Sequence, residues 1–221
     1  MNGNATEEPP KTRILIVDDH ASMREGIALF LNLQPNLHAC CEAANAEAAL
    51  TAMSICTHQL AIVDISLNGD SGLSLIRLMK SRYPSLAILA FSMHEEYLFA
   101  ERALQAGANG YLMKLEGFKQ ILLALQQIMT GQTYLSRAMH DRLKLAAAPL
   151  AVQHDLLARL TEREFEILHL IGQGFGSRQI AEQLNRSIKT IDNHRANLKD
   201  KLHLECGRDL ERFAAQWLGA N

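Results

Sequence analysis

The stretch RILIVDDHAS, residues 13–22, runs four apolar residues, Ile14–Val17, directly into two neighbouring carboxylates, Asp18 and Asp19. A short apolar run bounded by polar residues reads as a strand buried on both faces, the kind found in parallel sheets. Ending such a strand on two adjacent charges is costly, because a buried carboxylate needs compensation and two neighbours repel each other. One reading is a cap on the helix predicted for ASMREGIALFL, residues 21–31, since an aspartate there accepts from free backbone N–H groups. The other is a charged site. The stretch alone leaves both open.

Working outward, the same type of run recurs as LHACCEA (37–43), QLAIVD (59–64), LAILAFS (86–92) and GYLMK (110–114). Between and after these, SMREGIALFLNL, AEAALTAMS, GLSLIRLMKSRY, EEYLFAERALQAG and FKQILLALQQIMTG space their apolar residues by three and four, the helix period. Five successive βα units predict a doubly wound α/β domain, a parallel five-stranded sheet with helices on both faces. In that architecture the functional crevice lies beyond the carboxyl ends of the strands. Asp18 and Asp19 end the first strand, Asp64 the third, Ser92 the fourth and Lys114 the fifth. Taken singly, Ser92 reads as a helix cap, Lys114 as a solvated lysine and Asp64 as the start of an Asx turn. Their convergence on one rim favours a site. Three carboxylates with no His or Cys ligand among them suit a hard divalent cation such as Mg²⁺, which also relieves the Asp18–Asp19 repulsion. A lysine and a hydroxyl on the same rim match the oxygens of a phosphoryl group, and Asp64, on the central strand, is the best-placed nucleophile to form an acyl phosphate.

The composition bounds what else the chain can be. With 221 residues, 48% of them hydrophobic, it suffices for two modest domains, each with a core. The polar start MNGNATEEPPKT has no signal-peptide pattern, and no run approaches the ~18 apolar residues of a membrane span, so a cytoplasmic protein with no membrane partner is expected. The four cysteines, Cys40, Cys41, Cys56 and Cys206, show no metal-ligand spacing. Adjacent Cys40 and Cys41 are expected to alternate across a strand and remain reduced thiols. Residues 12–128 carry eight Lys and Arg against eleven Asp and Glu, whereas residues 175–201 carry six against three. The basic stretch calls for an acidic partner.

After residue 130 the strand signal stops. A flexible tail over 1–11, an α/β domain over 12–129, a partly helical linker over 130–157 and a small all-α domain over 158–221 are the predicted divisions. In LTEREFEILHLIGQG, residues 160–174, Thr161 and Glu164 form a capping box and Gly174 is a stop. Ser177 starts a short helix that ends at Asn185, and Ser187 caps IKTIDNHRANLKDKL, residues 188–202. This helix-turn-helix is the arrangement that lays its second helix in a DNA major groove. In that helix Ile191, Leu198 and Leu202 share one face; Lys189, Asn193, Ala196 and Asp200 lie opposite, with Asp192 and Asn197 beside them. Arg178, Arg186, Arg195, Lys199 and Lys201 surround the polar face, as phosphate contacts require. Asn193 can bond an adenine edge, and Ala196 can touch a thymine methyl.

With VDDH, IVDIS, FSM and GYLMK in place, residues 12–128 resemble the receiver domain of bacterial two-component response regulators. The resemblance implies that Asp64 is the phosphoacceptor and that Asp18 and Asp19 are Mg²⁺ ligands, with Asp64 and the backbone carbonyl of Ser66 completing the protein's share. It makes Ser92 the switch hydroxyl, Lys114 the phosphate partner and Tyr111 the rotating aromatic. Two departures are Asn68 and Leu115, where many receivers have proline. On LTEREFEILHLIGQG, IAEQL, SIKTIDNH and KL, residues 160–204 resemble the LuxR-type helix-turn-helix of NarL and FixJ regulators, with Phe175 at a position more often polar. The implied DNA-facing set is Arg178, Lys189, Thr190, Asp192, Asn193, Arg195, Ala196, Lys199 and Lys201. The last helix, GRDLERFAAQWL, serves either dimerisation or the domain's own core. Together these imply a non-enzymatic transcription regulator phosphorylated at Asp64 by a sensor histidine kinase, binding paired half-sites in double-stranded DNA as a homodimer. Two rival readings are an Mg²⁺-dependent phosphohydrolase with a helical appendage and a receiver that binds DNA without phosphorylation.

Overall fold

The structure, a computed structural model, describes residues 11–67, 71–145, 157 and 160–219. Residues 1–10 of the expected N-terminal tail, Asn68 and residues 146–156 of the expected linker lie outside these residues. The chain forms two compact units, Met1–Ala147 and Ala148–Asn221.

The first unit contains strands β1 (Thr12–Val17), β2 (Leu37–Ala43), β3 (Leu60–Asp64), β4 (Ala87–Ser92) and β5 (Gly110–Met113). Helices α1 (Ala21–Asn32), α2 (Ala46–Ile55), α3 (Gly72–Arg82), α4 (Glu96–Ala106) and α5 (Phe118–Met129) alternate with them, and α6 (Arg137–Leu145) follows. All pairings are parallel, in the order β2-β1-β3-β4-β5. This is the doubly wound α/β fold expected from the alternation of runs and periods. One sheet face carries Ile14, Ile16, Leu60, Ile62, Leu89, Phe91 and Leu112, which cluster with Ile27 and Leu31 of α1 and Ile121, Leu125 and Ile128 of α5. The other face is equally buried, which is why these strands lack polar alternation. Strand order reverses between β1 and β3, so the crevice at their carboxyl ends receives both Asp18 and Asp64.

Three local features depart from the sequence expectation. Lys114 does not end β5; it opens a single 3₁₀ turn, Lys114–Glu116. Cys40 and Cys41 do not simply alternate, because Ile14 pairs with Ala39 and Leu15 with Cys41, leaving Cys40 as the extra residue of a β-bulge. Residues 134–136, inside the expected linker, are fastened to this unit: Tyr134 bridges Gly110 at the free edge of β5, and the Ser136 N–H donates to Glu96 Oε1 at 2.8 Å. A one-residue bridge leaves no periodic signal in sequence.

The second unit consists of α7 (Glu162–Gly172), α8 (Ser177–Gln183), α9 (Ile188–Leu202) and α10 (Gly207–Gly219). The capping box at Thr161 is formed, with the Thr161 N–H donating to Glu164 Oε2 at 2.9 Å and the Glu164 N–H to Thr161 Oγ1 at 3.3 Å. Gly174 takes a positive φ of 89° after α7, where a side chain would be strained. Ser187 caps α9 through the Thr190 N–H at 3.1 Å. Helix α10 buries Leu210, Ala214 and Trp217 on one face, with Trp217 edge-on to Phe165 at 5.2 Å, so it closes the core of this unit. A Cβ on Gly172 would stand 2.7 Å from the Ala214 carbonyl oxygen, so a residue without one lets α7 and α10 meet.

Lys201 Nζ reaches Glu164 Oε2 at 2.7 Å and so ties α9 to the start of α7. Burial alone would raise the Glu164 pKa, but the Lys201 ammonium and the Thr161 N–H outweigh it and hold the carboxyl below its usual 4.5. A depressed folded pKa gives stability that is present above the unfolded value and lost as pH falls through the folded one. Glu164→Gln is therefore expected to cost about 1 kcal/mol at neutral pH and progressively less in acid below the usual 4.5. Trp217 is the sole tryptophan of the chain, so its fluorescence during urea unfolding at several pH values reads this unit. A cost independent of pH would contradict the assignment.

Candidate functional site

Asp18, just past β1, and Asp64, the last residue of β3, have side chains that are 2% and 3% exposed. Lys114 Nζ donates to Asp18 Oδ2 and to Asp64 Oδ2, both at 2.6 Å. One ammonium thus bridges two buried carboxylates brought from separate strands. Their other oxygens accept backbone N–H groups, Asp18 Oδ1 from His20 at 2.8 Å and Asp64 Oδ1 from Ser66 at 2.9 Å. Burial pushes the Asp64 carboxyl up to about 6 against the lowering pull of Lys114 and the Ser66 N–H. Lys114 is disfavoured as a cation by its burial, yet Asp64 and Asp18 together raise its pKa above the usual lysine value. It therefore stays charged.

Asp19 stands beside this pair. Its Oδ1 is buried and accepts no hydrogen bond, although His20 Nδ1 lies 2.8 Å away. Oxygens of Asp18, Asp19 and Asp64 and a ring nitrogen of His20 all lie within 4.8 Å of one another. An orphaned oxygen among three carboxylates is the donor set of a hard divalent cation. Sequence reasoning did not single out His20, whose only signal is adjacency to the acidic pair. Arg24, also unforeseen, donates to the Asp18 carbonyl.

Ser92 and Tyr111 form a second cluster, joined through His94. The His94 N–H donates to Ser92 Oγ at 3.1 Å, and the Tyr111 hydroxyl donates to the His94 carbonyl at 2.9 Å. Tyr111 is 1% exposed, and burial raises its phenol far above the usual tyrosine value, so it remains a neutral donor. The His94 ring stacks on Phe99 of α4 at 4.4 Å, and its Nε2 lies 2.7 Å from Ser66 Oγ. Ser66 accordingly touches both clusters, through its N–H to Asp64 and its hydroxyl to His94. A change at Asp64 has a short covalent and hydrogen-bonded route to Ser92, Tyr111 and α4. Sequence reasoning missed His94, for which the neighbouring FSM run was the only hint. Gly72 completes the geometry: a Cβ there would lie 2.1 Å from the Asp64 carbonyl oxygen, so α3 begins in direct contact with the strand end.

In the second unit, α9 buries Ile191, Leu198 and Leu202 and leaves Lys189, Asp192, Asn193, Ala196 and Asn197 exposed, with Thr190 and Lys199 half-buried. Thr190 Oγ1 shares a hydrogen bond with Ser187 Oγ at 2.8 Å. Arg178 is open to solvent at the start of α8, in a surface pair with Glu182 at 3.3 Å. Arg195 and Lys201 are engaged within the unit, Arg195 Nη2 with Glu211 Oε1 of α10 at 2.9 Å and Lys201 with Glu164. The cations sequence reasoning grouped together thus divide into a set at the surface and a set tied to other helices. The ties join residues far apart in sequence and left no local pattern.

Residues 14–126 match the response regulator receiver domain, and residues 158–214 match the luxR family of bacterial regulatory proteins. The chain belongs to the response regulators. Within that family it is a phosphorylation-controlled, DNA-binding regulator of transcription. The response regulator is 32% identical over 211 residues to the oxygen regulatory protein NreC of Staphylococcus epidermidis, covering 91% of this chain and 96% of that one. It is 35% identical over 206 residues to the transcriptional activator protein ExaE of Pseudomonas putida, covering 92% and 95%. Among solved structures, RcsB of Salmonella typhimurium matches with a TM-score of 0.56 at 25% identity, covering 93% of this chain and 98% of that one. RcsB bound to DNA gives 0.57 at the same identity and coverage. Among the described residues of the response regulator, no helix is long and apolar enough to cross a membrane.

Proposed function

We propose that Asp64 is the residue that accepts the phosphoryl group, from a partner sensor histidine kinase, and that the acidic rim holds Mg²⁺ for that transfer. The observation that carries this reading is the double contact of Lys114 Nζ with Asp18 and Asp64 at 2.6 Å each. It presents a nucleophilic carboxylate next to a charge suited to incoming phosphoryl oxygens. In the transfer, an Asp64 carboxylate oxygen bonds to phosphorus while the donor's own bond to phosphorus breaks, leaving an acyl phosphate. Asp18, Asp19 and Asp64, with the Ser66 carbonyl, are the groups that would hold the cation; the orphaned Asp19 Oδ1 supports that fit. When bound, Mg²⁺ supplies positive charge against the carboxylates and the phosphoryl oxygens. Lys114, freed from Asp64 by its phosphorylation, holds a phosphoryl oxygen in place of the carboxylate. Ser92, His94 and Tyr111 pass the change to α4. Incubating the full chain with acetyl phosphate and Mg²⁺ should add one phosphoryl group per chain, labile to hydroxylamine. Multiple-turnover release of inorganic phosphate would favour a phosphohydrolase instead.

The DNA contact is proposed for the exposed face of α9, as RcsB has been solved on DNA, including as two dimers on two parallel DNAs. Asn193 and Ala196 read base edges, while Arg178, Lys189, Thr190 and Lys199 fix the helix on phosphates, with Asp192 at the edge of the contact. Arg195 and Lys201, held by Glu211 and Glu164, contribute chiefly by setting the pose of α9. Asn193→Ala is expected to cost about 1–3 kcal/mol at a preferred site and to relax one base position. Lys199→Ala should weaken all sequences alike and lower the salt slope by about 1. Equal loss on preferred and random DNA from Asn193→Ala would overturn the groove assignment. Phosphorylation favours a homodimer on paired half-sites, and a cytoplasmic location accords with DNA as a partner.

A further inference from the structure

Away from the carboxylate rim, the fold gathers three cysteines and a histidine at the β2 edge of the sheet. The bulge leaves Cys40 without a partner between Ala39 and Cys41, which pair with Ile14 and Leu15. A bulge of this kind turns two successive side chains toward one side. As a result, the Sγ atoms of Cys40 and Cys41 and a ring nitrogen of His58 lie within 4.8 Å of one another. Cys56, directly after α2, stands against Cys41 closely enough for the two thiols to interact. All three cysteines are free thiols, half-buried like His58.

His58 points to a ligand. Both of its ring nitrogens are buried, and neither meets a partner at full hydrogen-bond geometry, although the Cys56 backbone lies beside the ring. Burial first and the Arg13 charge second lower the pKa of the ring, against the neighbouring Cys56 backbone.

We propose that Cys40, Cys41 and His58, completed by Cys56, bind a thiophilic divalent metal of the Zn²⁺ class. Three cysteines and one histidine are an established closed, four-coordinate set for such an ion. Tetrahedral geometry with metal–sulfur and metal–nitrogen bonds of about 2.3 and 2.0 Å separates ligand atoms by roughly 3.5–3.8 Å. Cys40, Cys41 and His58 therefore have to draw in by at most about 1.3 Å from their 4.8 Å limit, and Cys56 has to swing in from beside Cys41. Each thiol releases its proton to water on coordination, giving three thiolates against two positive charges. Arg13 supplies the balancing cation, anchored between Cys56 and His58 by its 2.9 Å hydrogen bond to the Thr57 carbonyl. The two sites of this chain select different ions, since carboxylate oxygens suit Mg²⁺ and thiolates suit softer metals. The ion would clasp the edge strand to the segment after α2. On coordination Cys40 gives up the 3.6 Å hydrogen bond that its thiol donates to the Ile14 carbonyl of β1.

The test titrates the reduced, metal-free full chain, saturated with Mg²⁺, with Co²⁺ as a spectroscopic stand-in. Thiolate coordination produces sulfur-to-cobalt charge-transfer absorption, which the carboxylate rim cannot. The absorption should saturate at one equivalent, disappear on adding one equivalent of Zn²⁺, and coincide with protection of three thiols from alkylation. Cys41→Ser and Cys56→Ser should each remove it, and His58→Gln should weaken Co²⁺ binding at least about tenfold. Cys206→Ser and Asp18→Asn should leave it unchanged. Should a cysteine variant fail to fold by circular dichroism, His58→Gln decides. No charge-transfer absorption at several equivalents, or absorption that survives in folded Cys41→Ser or His58→Gln at full strength, would overturn the proposal. So would an intact mass two hydrogens light in the isolated protein with no metal uptake after reduction, which would make the cluster a disulfide pair.

Discussion

Asp64→Asn is expected to abolish Mg²⁺-dependent labelling by a small phosphodonor completely, with no hydroxylamine-labile phosphate left in the intact mass. The variant keeps the shape of the side chain, and its one oxygen can still accept the Ser66 N–H while Lys114 keeps Asp18, so the fold should survive. What it loses is the charged oxygen that bonds to phosphorus. Asp18 is equally buried and equally close to Lys114, at 2.6 Å, which makes it the natural rival acceptor. Its Oδ1 is occupied by His20, and its carbonyl by Arg24, so it is built into the start of α1 as a fixed charge. A variant that still gains one labile phosphate would move the acceptor to Asp18 or elsewhere and remove the proposed role of Asp64.

Lys114→Met is expected to destabilise the first unit by about 3–5 kcal/mol without divalent cation. The side chains of Asp18, Asp64 and Lys114 are all at most 3% exposed, so water replaces the missing ammonium poorly. One carboxyl must then take up a proton or the pair must open. Mg²⁺ should restore a large part of the lost stability, far more than it adds to the unaltered chain, because it would enter a site with no competing cation. Denaturant unfolding followed by circular dichroism, with and without Mg²⁺, measures both effects. A variant as stable as the parent and indifferent to Mg²⁺ would show that Lys114 is not the charge that balances the rim.

The rim was legible because its chemistry sits at the ends of apolar runs. Ile14–Val17 leads to Asp18 and Leu60–Val63 to Asp64, and parallel strands bring such ends together whatever the side chains between them. The capping box at Thr161 and the Ser187 cap were legible for a similar reason, since each is complete within four residues. What stayed hidden depends on contacts between distant segments. The bulge at Cys40 arises from how β2 meets β1, and nothing in LHACCEA distinguishes it from a regular strand. His58 reaches the two cysteines only because β2 and the end of α2 share an edge. His94 reaches Ser92 and Tyr111 through backbone groups, which carry no residue-type signature, and Ser66 through its ring. Likewise, the division of the basic residues into surface and tethered sets follows from helix crossings that place Arg195 beside Glu211 and Lys201 beside Glu164.

The central claim is that phosphorylation of the receiver governs DNA binding by the helix-turn-helix unit. The most direct measurement is DNA affinity, on one fragment with paired half-sites at fixed salt, of the full chain before and after acetyl phosphate and Mg²⁺, beside residues 150–221 alone. The account predicts that the short chain binds with or without phosphodonor, while the full chain binds more tightly once phosphorylated and does so as a dimer. Complete switching from 1:99 to 99:1 would need about 5.5 kcal/mol of coupling, so a partial shift is expected. Equal affinity of the full chain and residues 150–221, unchanged by phosphodonor and Mg²⁺ although Asp64 is stoichiometrically phosphorylated, would contradict it.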